Sequence, residues 1–464
     1  MHSKTISNFL EISKYPRPSG NESKVRDFLV LWADSKGFDH KADMAGNLII
    51  YVPATSDKEL NETVILQSHM DMVCVKASDS NHDFSEDPIE IVEEGGYLKA
   101  NDTTLGADDG IGIALSMTAS DFKSHPRMEL VFTTEEEVGL IGAQKLDFGL
   151  LSGKMVLNLD SEDEDQICIS SAGGTRFDFK KKLEFKAPEY IQYRFEIFGM
   201  KGGHSGAEIH KNHGNSVKII IDFLSEYDFG FELVSINGGT ADNVIPSSAE
   251  AIIGIEDYER FEKEFKRYLD TVKSNLDCPD IGFTLEKQES KLEIIKDMES
   301  ILNPINSTKI GVYNFSEKIP ELVQTSMNLG MIDFRGDIVH IAFLARSSIN
   351  IELKELVENT ISTFNMSGFE LMRNDSYPGW QDDPESRLVR IAKSEFENII
   401  GDKTQIVAFH AGLECGILVA GLGEGVHAIS IGPTMHDVHS INEKVEIASV
   451  EKMEKILENI LKRL

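Results

Sequence analysis

The sequence predicts an α/β fold in which one domain is built from both ends of the chain and a second domain is inserted between them. Three observations lead to this prediction. Apolar strands alternate with helical segments in the first part, the middle part fits a smaller α+β domain with an antiparallel sheet, and the last part resembles the first. Alternation of strands and helices favours a largely parallel sheet that is covered on both faces.

Hydrophobic patterning predicts the elements of the first domain. Residues 21–36 form an amphipathic pattern typical of a helix, with Asn21 or Ser19 as its N-cap. The segment Gly110–Ala119 is apolar and rich in small residues, which indicates a buried helix. Four short apolar runs predict strands, namely Asn47–Val52, Thr63–Leu66, Met128–Phe132 and Met155–Leu159.

The remaining elements define the predicted domain boundaries. In the middle part we expect strands at 193–198, 248–255 and 339–345, and helices at 215–225 and 257–275. Near the end we expect a helix at 385–399, a strand at 427–431 and a closing helix at 445–461. The turn-forming segment Tyr377–Trp380 interrupts the pattern. The first domain is therefore predicted to contain residues 1–183 and 379–464, with residues 184–378 inserted.

Length, charge and cysteine content exclude several classes of protein. A chain of 464 residues is expected to form two or three domains. Its 78 acidic and 46 basic side chains give a formal charge of -32, which disfavours nucleic acid and anionic membranes as partners. There is no apolar run long enough to span a membrane and no secretory signal pattern. Its four cysteines are scattered, which is typical of a cytoplasmic protein.

Polar residues that commonly bind metals follow the predicted strands. In open α/β sheets, ligands gather at the carboxyl ends of the strands. Each motif alone has a structural alternative, such as a solvated charge run or a helix cap, but the combination in this order is far more specific. The candidate residues are His69 and Asp71 after the second strand, Asp108 before the buried helix, Glu135–Glu137 after the third strand, Asp160 after the fourth, and His436 and His439 near the end.

These residue types match the chemistry of amide hydrolysis. Two divalent metal ions can acidify a shared water and polarise a carbonyl group. Imidazole and carboxylate ligands without thiolates suit zinc, cobalt or manganese. An additional carboxylate has to remain free to accept a proton from the water, and adjacent glutamates can divide these two tasks.

Eight segments along the chain resemble the family of di-zinc peptidases that includes carboxypeptidase G, bacterial tripeptidase and the aminoacyl-histidine dipeptidases, and the similarity is greatest to the dipeptidases. They are 16–22 (PRPSGNE), 69–71 (HMD), 104–112 (TLGADDGIG), 136–139 (EEVG), 158–162 (NLDSE), 201–209 (KGGHSGAEI), 410–416 (HAGLECG) and 439–444 (HSINEK). The resemblance implies a zinc-peptidase-type α/β/α catalytic domain with an inserted α+β lid or dimerisation domain.

The resemblance also implies a set of metal ligands. His69, Asp108 and Asp160 would bind one metal ion, and Asp108, Glu137 and His439 would bind the other, so that Asp108 bridges the two. A cis peptide bond would follow the bridging aspartate. His436 is the competing candidate for the last ligand, and the match to the family pattern favours His439.

The family pattern Glu-Glu-x-Gly assigns the neighbouring glutamates. Glu136 would be the general base and later the proton donor to the leaving amine, and Glu135 would be a bystander. Asp71 would fix the ring of His69 and raise its basicity.

In the inserted domain the resemblance implies residues that bind the substrate. His204 would stabilise the oxyanion, from its own subunit or from a partner subunit. Asn243 and Arg346 would bind the substrate backbone and its terminal carboxylate, a task that suits the planar guanidinium group. Gly412 would line the site. For Asn243 and Arg346 a structural role is nearly as well supported by the sequence.

Together these features predict a metal-dependent dipeptidase, with Xaa-His dipeptides as possible substrates. The alternatives are a tripeptidase, a carboxypeptidase or an N-acyl-amino-acid deacylase with the same metal ligands, and a non-catalytic metal-binding protein. A thiol hydrolase that uses Cys415 with His410 is a poorer fit, since Cys415 has the sequence context of a small buried hydrophobe. We expect the protein to form a homodimer. Its binding partners would be small peptide substrates.

Overall fold

The computed structural model describes residues 2–59, 61–227, 230–276, 278–317 and 322–464. The chain divides into a first unit of Met1–Ser171, Trp380–Ala408 and Leu413–Leu464, and a second unit of Ala172–Gly379 and Phe409–Gly412. The first division lies after Ser171 and not after residue 183, because Gly173–Lys182 is a strand in the sheet of the second unit.

In its described part, the first unit contains a nine-stranded mixed sheet. Val64–His69 pairs in parallel with Met128–Thr133 and Met155–Asn158, and the latter pairs in parallel with His427–Ser430. The outer strands are antiparallel, partly because a short connection joins the first two as a hairpin. The sheet is therefore less parallel than predicted. Its order is Asp39–Ala42, Leu48–Val52, Met128–Thr133, Val64–His69, Met155–Asn158, His427–Ser430, Gln166–Ser171 and Trp380–Gln381, with Gln405–Phe409 beside Gln166–Ser171.

Helices cover this sheet and bury both of its faces. The strand Val64–His69 is buried at every position, and the helix Ala107–Ala119 is buried at almost every one. The other helices are Lys4–Ile12, Ser23–Lys36, Ile141–Gln144, Arg387–Ile399, Glu414–Leu422 and Ile447–Arg463, with a 3-10 turn at Phe148–Leu150. A smaller sheet contains Ile91–Glu94, Tyr97–Ala100, Lys444–Glu446 and Met435–His436.

Several predicted helix starts differ from the structure by two or three residues, since helices begin at Ser23, Ala107, Arg387 and Ile447 and not at 21, 110, 385 and 445. The helix Ser23–Lys36 has Glu22 at its N-cap position, not Asn21 or Ser19. The Ser19 hydroxyl donates instead to the Asp71 carboxylate. The closing helix begins at Ile447, because residues 444–446 form a strand that pairs with Tyr97–Ala100.

The second unit contains a nine-stranded antiparallel sheet within its described residues. Its order is Gly282–Lys287, Ile191–Phe198, Ala249–Ile255, Phe231–Gly238, Val323–Arg335, Ile338–Ser347, Gly173–Lys182 and Glu370–Tyr377, with Gly311–Phe315 beside Val323–Arg335. Two short pairs are Phe185–Lys186 with Ile294–Ile295 and Gly203–His204 with Val244–Ile245. The helices are Ser216–Glu226, Tyr258–Asn275, Glu299–Ser307 and Asn350–Met366.

Each unit has its own hydrophobic core. The core of the second unit is rich in phenylalanine, and Phe179 stacks on Phe364 with ring centroids 4.4 Å apart. Among the helices that the structure describes, none combines the length and the apolar character needed to cross a membrane.

Candidate metal centre

The carboxyl ends of the parallel strands place the predicted ligands of the first unit together. His69 is the last residue of Val64–His69, and Asp160 follows the end of Met155–Asn158 by two residues. Glu137 lies in the loop after Met128–Thr133, and Asp108 lies in the first turn of Ala107–Ala119. Because adjacent parallel strands end at the same edge of the sheet, these side chains converge there.

Asp108 lies between two histidine rings. Its Oδ1 is 2.9 Å from Nε2 of His69, and its Oδ2 is 3.0 Å from Nε2 of His439. The same nitrogen of His69 is 3.4 Å from Oδ1 of Asp160, and that of His439 is 3.1 Å from Oε1 of Glu137. Asp108 is therefore shared by two groups of ligand atoms, as a bridging carboxylate would be.

The donor atoms are close enough for metal ions. Asp108, Glu137 and His439 each offer a ligand atom within 4.8 Å of the others. A second such set, with atoms from His69, Asp109 and Asp160, satisfies the same limit. His436, the competing candidate, is exposed on the strand Met435–His436 and belongs to no such set among the described residues.

Charge and hydrogen bonding in the centre also suit a cation. Burial opposes ionisation of Asp108, but hydrogen bonds with His439 and His69 outweigh it and hold its pKa far below the usual range. Burial raises the pKa of Asp160 well above its usual value. Oε1 of Glu137 is buried and accepts no hydrogen bond from the described residues, although His439 is near. Buried carboxylates in this state are stabilised by a bound metal ion.

Two neighbouring carboxylates raise the pKa of His439. The Asp108 carboxylate contributes most and that of Glu137 next, and together they outweigh the opposing effect of partial burial and raise the pKa to about 11. For His69 burial is the largest effect and lowers the pKa, but the carboxylates of Asp160 and Asp108 outweigh it. Both rings thus lie in strongly negative surroundings, which attract cations.

Asp71 connects His69 to the glutamate loop. Its carboxylate accepts hydrogen bonds from the Ser19 hydroxyl at 2.7 Å and from the backbone N–H of Glu136 and Glu137 at 3.0 and 3.2 Å. Its Oδ1 is 3.4 Å from Nδ1 of His69. Burial opposes its ionisation, but the hydrogen bonds with His69 and Ser19 lower the pKa of Asp71 to about 2.

Glu136 lies beside the candidate ligand atoms, and no hydrogen bond from the described residues holds its carboxylate. One of its oxygens is within 4.8 Å of ligand atoms of His69 and Glu137. Burial raises the pKa of Glu136 well above its usual value, and the carboxylates of Asp160 and Glu414 raise it further. A carboxylate with a raised pKa is suited to accept and return a proton near neutral pH.

Asp109 is a further buried acid of the centre, beside the candidate bridging residue Asp108. The peptide bond between Asp108 and Asp109 is cis, as the resemblance implies. The Asp109 carboxylate accepts hydrogen bonds from the backbone N–H of His69 at 3.1 Å and of Gly112 at 3.0 Å. It therefore joins the end of the strand Val64–His69 to the first turn of the helix Ala107–Ala119.

Glu414 is a buried acid beneath the centre that the sequence analysis did not single out. Its carboxylate accepts a hydrogen bond from Gln67 and one of 2.8 Å from the Thr133 hydroxyl, and its Oε1 has no partner among the described residues. Burial raises the pKa of Glu414 to about 7. The available signal was its position as the only charged residue of the apolar helix Glu414–Leu422.

The predicted substrate-binding residues His204, Asn243, Arg346 and Gly412 all belong to the second unit. Nδ1 of His204 accepts hydrogen bonds from the backbone N–H of Gly206 and Ala207, at 3.3 and 3.2 Å. Nε2 of the neutral ring therefore carries the proton and is a donor. Burial lowers the pKa of His204, and the charge of Arg346 lowers it further, so the neutral form is favoured. The carbonyl of Asn243 accepts from the N–H of Ser205.

Arg346 lies in a buried polar cluster of the same unit. Its Nη1 donates to the Tyr377 hydroxyl at 2.9 Å, while its Nε has no partner among the described residues. Gly412 packs on this tyrosine, because a Cβ at position 412 would lie 2.6 Å from its ring. His410, which the sequence analysis considered with Cys415, bonds the Ser326 hydroxyl at 2.7 Å. Burial lowers its pKa to about 3, and Cys415 is fully buried with a raised pKa.

Comparison with known proteins identifies the family. Residues 65–463 match the family described as Peptidase family M20/M25/M40. The chain is 33% identical to the cytosol non-specific dipeptidase of Escherichia coli, over 98% of this chain and 96% of that protein. The crystal structure of aminoacylhistidine dipeptidase from Vibrio alginolyticus superposes with a TM-score of 0.94 at 32% identity, covering 99% of this chain and 96% of that one.

A more distant structure shares the fold alone. The M20 family metallo-carboxypeptidase Sso-CP2 from Sulfolobus solfataricus has a TM-score of 0.59 at 17% identity, covering 99% of each chain. The family match covers residues 65–463, and the similarity to the E. coli dipeptidase covers 98% of the chain. Both agree with the cluster of histidine and carboxylate side chains at the strand ends, since such residues are able to hold metal ions. This chain therefore belongs to peptidase family M20/M25/M40 and is a metallopeptidase.

Proposed function

We propose that this metallopeptidase hydrolyses dipeptides at a centre of two divalent metal ions. The observation that carries the proposal is the position of Asp108, whose two carboxylate oxygens lie 2.9 and 3.0 Å from different histidine rings. The similarity to an E. coli dipeptidase over 98% of the chain supports the substrate class. The Vibrio relative, an aminoacylhistidine dipeptidase, supports dipeptides with a C-terminal histidine among the substrates.

The proposed ligands are His69, Asp108 and Asp160 for one ion, and Asp108, Glu137 and His439 for the other. Imidazole and carboxylate donors suit zinc, and also manganese or cobalt. When bound, the two ions would acidify a water molecule and polarise the carbonyl group of the scissile bond.

The side chains around the ligands would move protons and orient the groups. Glu136 takes the proton from the attacking water and returns it to the leaving amine. Asp71 fixes the His69 ring and, through two backbone N–H groups, the loop that carries Glu136.

Residues of the second unit would bind the substrate. The Nε2–H of His204 is proposed to donate to the developing oxyanion, since backbone N–H groups already occupy its Nδ1. Arg346 is proposed to bind the terminal carboxylate, and its buried Nε, which has no partner among the described residues, supports this role. Asn243 would bind the backbone of the substrate, and Gly412 would line the site.

A substrate panel tests the proposed function. Purified protein would be assayed with free dipeptides, including β-Ala-His and other Xaa-His peptides, and with N-acylated dipeptides, tripeptides and N-acyl amino acids. Each assay would be repeated after chelation and after zinc is restored. We expect cleavage of free dipeptides that is lost on chelation and returns with zinc, because the same ligands hold the ions that activate the water.

The other outcomes separate the alternatives. Faster cleavage of tripeptides would favour a tripeptidase, and preference for N-acylated substrates would favour a carboxypeptidase or deacylase. If metal-replete protein cleaved none of these compounds, the chain would be a non-catalytic metal-binding protein. Activity that survives chelation but not a thiol reagent would contradict the metal mechanism altogether.

The proposal also includes the cellular location and the oligomeric state of the enzyme. The scattered free cysteines and the cytosolic relative support a cytoplasmic location. A homodimer, and a lid role for the second unit, remain predictions from the family resemblance. Size-exclusion chromatography with light scattering tests the first of these.

A further inference from the structure

The backbone just before the bridging aspartate is held by a distant carboxylate. Glu443 is 2% exposed, and its two oxygens accept hydrogen bonds from three successive backbone N–H groups. The distances are 2.7 Å from Leu105, 3.1 Å from Gly106 and 2.8 Å from Ala107. Three successive N–H groups that point at one anion form a strong charge-assisted contact.

Arg17 holds the same segment from its carbonyl side. Its guanidinium donates to the Gly106 carbonyl, and Nη1 donates to the carbonyls of Met70 at 3.1 Å and Asp71 at 2.9 Å. Gly106 has a φ of 68°, and a Cβ there would lie 2.6 Å from the guanidinium, so the contact requires glycine. The backbone just before Asp108 is thus held at its N–H groups by Glu443 and at the Gly106 carbonyl by Arg17.

The polar contacts of the loop that carries His439 are largely local, and they include the Ser440 hydroxyl to the Asp437 carbonyl at 2.7 Å and Lys444 to Asp437 at 3.5 Å. His439 and Asp437 adopt the left-handed region, with φ of 63° and 53°, and the His439 side chain is 51% exposed. Within the loop, Ser440 accepts from the N–H groups of Asn442 and Glu443, at 3.1 Å each. Non-glycine residues in the left-handed region depend on their surroundings to stay there, so an anchor at position 443 is important for this loop.

We propose that Glu443 is a positioning residue that couples the loop of His439 to the backbone of Asp108. The inference rests on the two-metal centre of the proposed function. Loss of this carboxylate would release the His439 loop, whereas His69 and Asp160 stay at the ends of buried parallel strands. The effect therefore falls mainly on the metal ion that His439 helps to bind, since metal ligands tolerate only small displacements.

Metal titration of matched variants tests this coupling. Apo forms of the wild type, Glu443→Gln and Glu446→Gln would be titrated with Co²⁺ and with Zn²⁺ by calorimetry and visible absorption. Gln keeps the size of residue 443 but removes its charge and turns an NH₂ group towards the backbone N–H donors. Glu446 is a half-buried residue of the same segment whose side chain does not cap the following helix, so it controls for the substitution itself.

We expect two equivalents of metal in the wild type and in Glu446→Gln. In Glu443→Gln one equivalent would keep its affinity, and the other would weaken by about 10–100-fold, as for other residues that orient metal ligands. The Co²⁺ absorption of the weakened equivalent would change as well. Equal affinities and equal spectra in Glu443→Gln and Glu446→Gln would overturn the proposal.

Two further measurements distinguish failure of the proposed function from failure of the Glu443 proposal. A wild type that binds fewer than two equivalents would refute the proposed function and not this coupling alone. If Glu443→Gln does not fold, hydrogen exchange of the wild-type apo protein decides: we expect slow exchange at the Leu105–Ala107 amides before metal is added. Fast exchange at these amides would overturn the proposal without any variant.

Discussion

At the scale of single residues, the neighbours Glu135 and Glu136 have the same chemistry and different surroundings. Glu136 lies beside the ligand atoms, and burial raises its pKa, whereas Glu135 belongs to none of the ligand sets among the described residues. The backbone N–H of Glu136 bonds to Asp71, and that of Glu135 bonds to Glu22. The two positions therefore form a matched pair for mutation.

We expect Glu136→Gln to lower kcat by about 10²–10⁴-fold, because it removes the proton acceptor while its size is kept. Metal content and thermal unfolding should remain as in the wild type. The control, Glu135→Gln, should change kcat by less than about threefold if position 135 takes no part in the proton transfer. Steady-state kinetics on a cleaved dipeptide checks both variants, and a larger loss in Glu135→Gln would reverse the assignment.

At the residue level, candidate ligands could be named where the local pattern carries the information. His69 and Asp160 were predicted because each follows an apolar strand that could be recognised from its own few residues. Glu414 and Glu443 were not predicted, because their partners lie far away in the chain: Gln67 is 347 positions from Glu414, and Leu105 is 338 from Glu443. No local periodicity indicates contacts at such separations.

At the scale of elements, a chain of buried polar side chains crosses the parallel strands beneath the centre. Gln67 donates to Glu414 and accepts from Asn158 at 2.7 Å, and Asn158 accepts from the Ser430 hydroxyl. These residues belong to three neighbouring strands, and Glu414 begins a helix. The side chains thus reinforce the backbone pairing at the level from which the ligands project.

The pH dependence of stability should report on Glu414. Burial raises its pKa to about 7 in the folded protein, above the 4.5 of a free glutamate side chain, so the folded state holds its proton more tightly. Its stabilising effect is therefore fully present below about pH 4.5 and is lost as the pH rises to about 7. The free energy of unfolding of the apo protein therefore falls as the pH rises through this range. In Glu414→Gln this fall should be smaller by about 3 kcal/mol.

Urea denaturation between about pH 4.5 and 8 measures this effect. Chelated protein is used throughout, so that metal affinity does not contribute. An unchanged decline in Glu414→Gln would show that another acidic group, such as Glu162, whose pKa is raised to about 7, controls the profile.

Close packing of the helix Ala107–Ala119 on the strand Val64–His69 leads to a second prediction at this scale. A Cβ at Gly112 would lie 2.2 Å from Oδ1 of Asp109 and 2.7 Å from the Ser68 hydroxyl oxygen. We expect Gly112→Ala to destabilise the protein by about 1–3 kcal/mol, since the helix or Asp109 must move. Chemical denaturation checks this, and a change below about 0.5 kcal/mol would contradict the tight approach.

Strand positions were predictable, and strand directions were predictable in part: the antiparallel sheet of the second unit is confirmed, whereas the outer strands of the first sheet differ from the prediction. The apolar runs at Met128–Thr133 and Met155–Asn158 stand out as strands, and both were predicted within one or two residues. The direction of pairing depends on connections and on distant partners. The antiparallel pairing of Leu48–Val52 with Met128–Thr133 therefore had no local signal.

At the scale of the whole molecule, the formal charge of -32 opposes compaction. Salt screens this repulsion, and the screening length falls from about 30 Å at about 0.01 M to about 8 Å at about 0.15 M. We therefore expect the thermal midpoint of the apo protein to rise with NaCl over this range. Differential scanning calorimetry measures it, with KCl to separate screening from ion-specific binding, and a constant or falling midpoint would contradict the expectation.

The two-part organisation of the chain was predicted from a change in pattern near its middle. The boundary was placed late, because Gly173–Lys182 follows the first domain directly and its strand character does not reveal which sheet it joins. Its neighbours, Ile338–Ser347 and Glu370–Tyr377, come more than 150 residues later in the chain. Only the paired structure assigns it to the second unit.

The discontinuous first unit has a consequence for protein synthesis. Asp108 and His439 are 331 positions apart, so a ribosome that adds about 5–20 residues per second needs roughly 17–66 s to pass from one to the other. During that time the emerging chain has Met155–Asn158 without its partner His427–Ser430. The nascent protein therefore carries an open strand edge, a site where chaperones act and aggregates start, until translation is nearly finished.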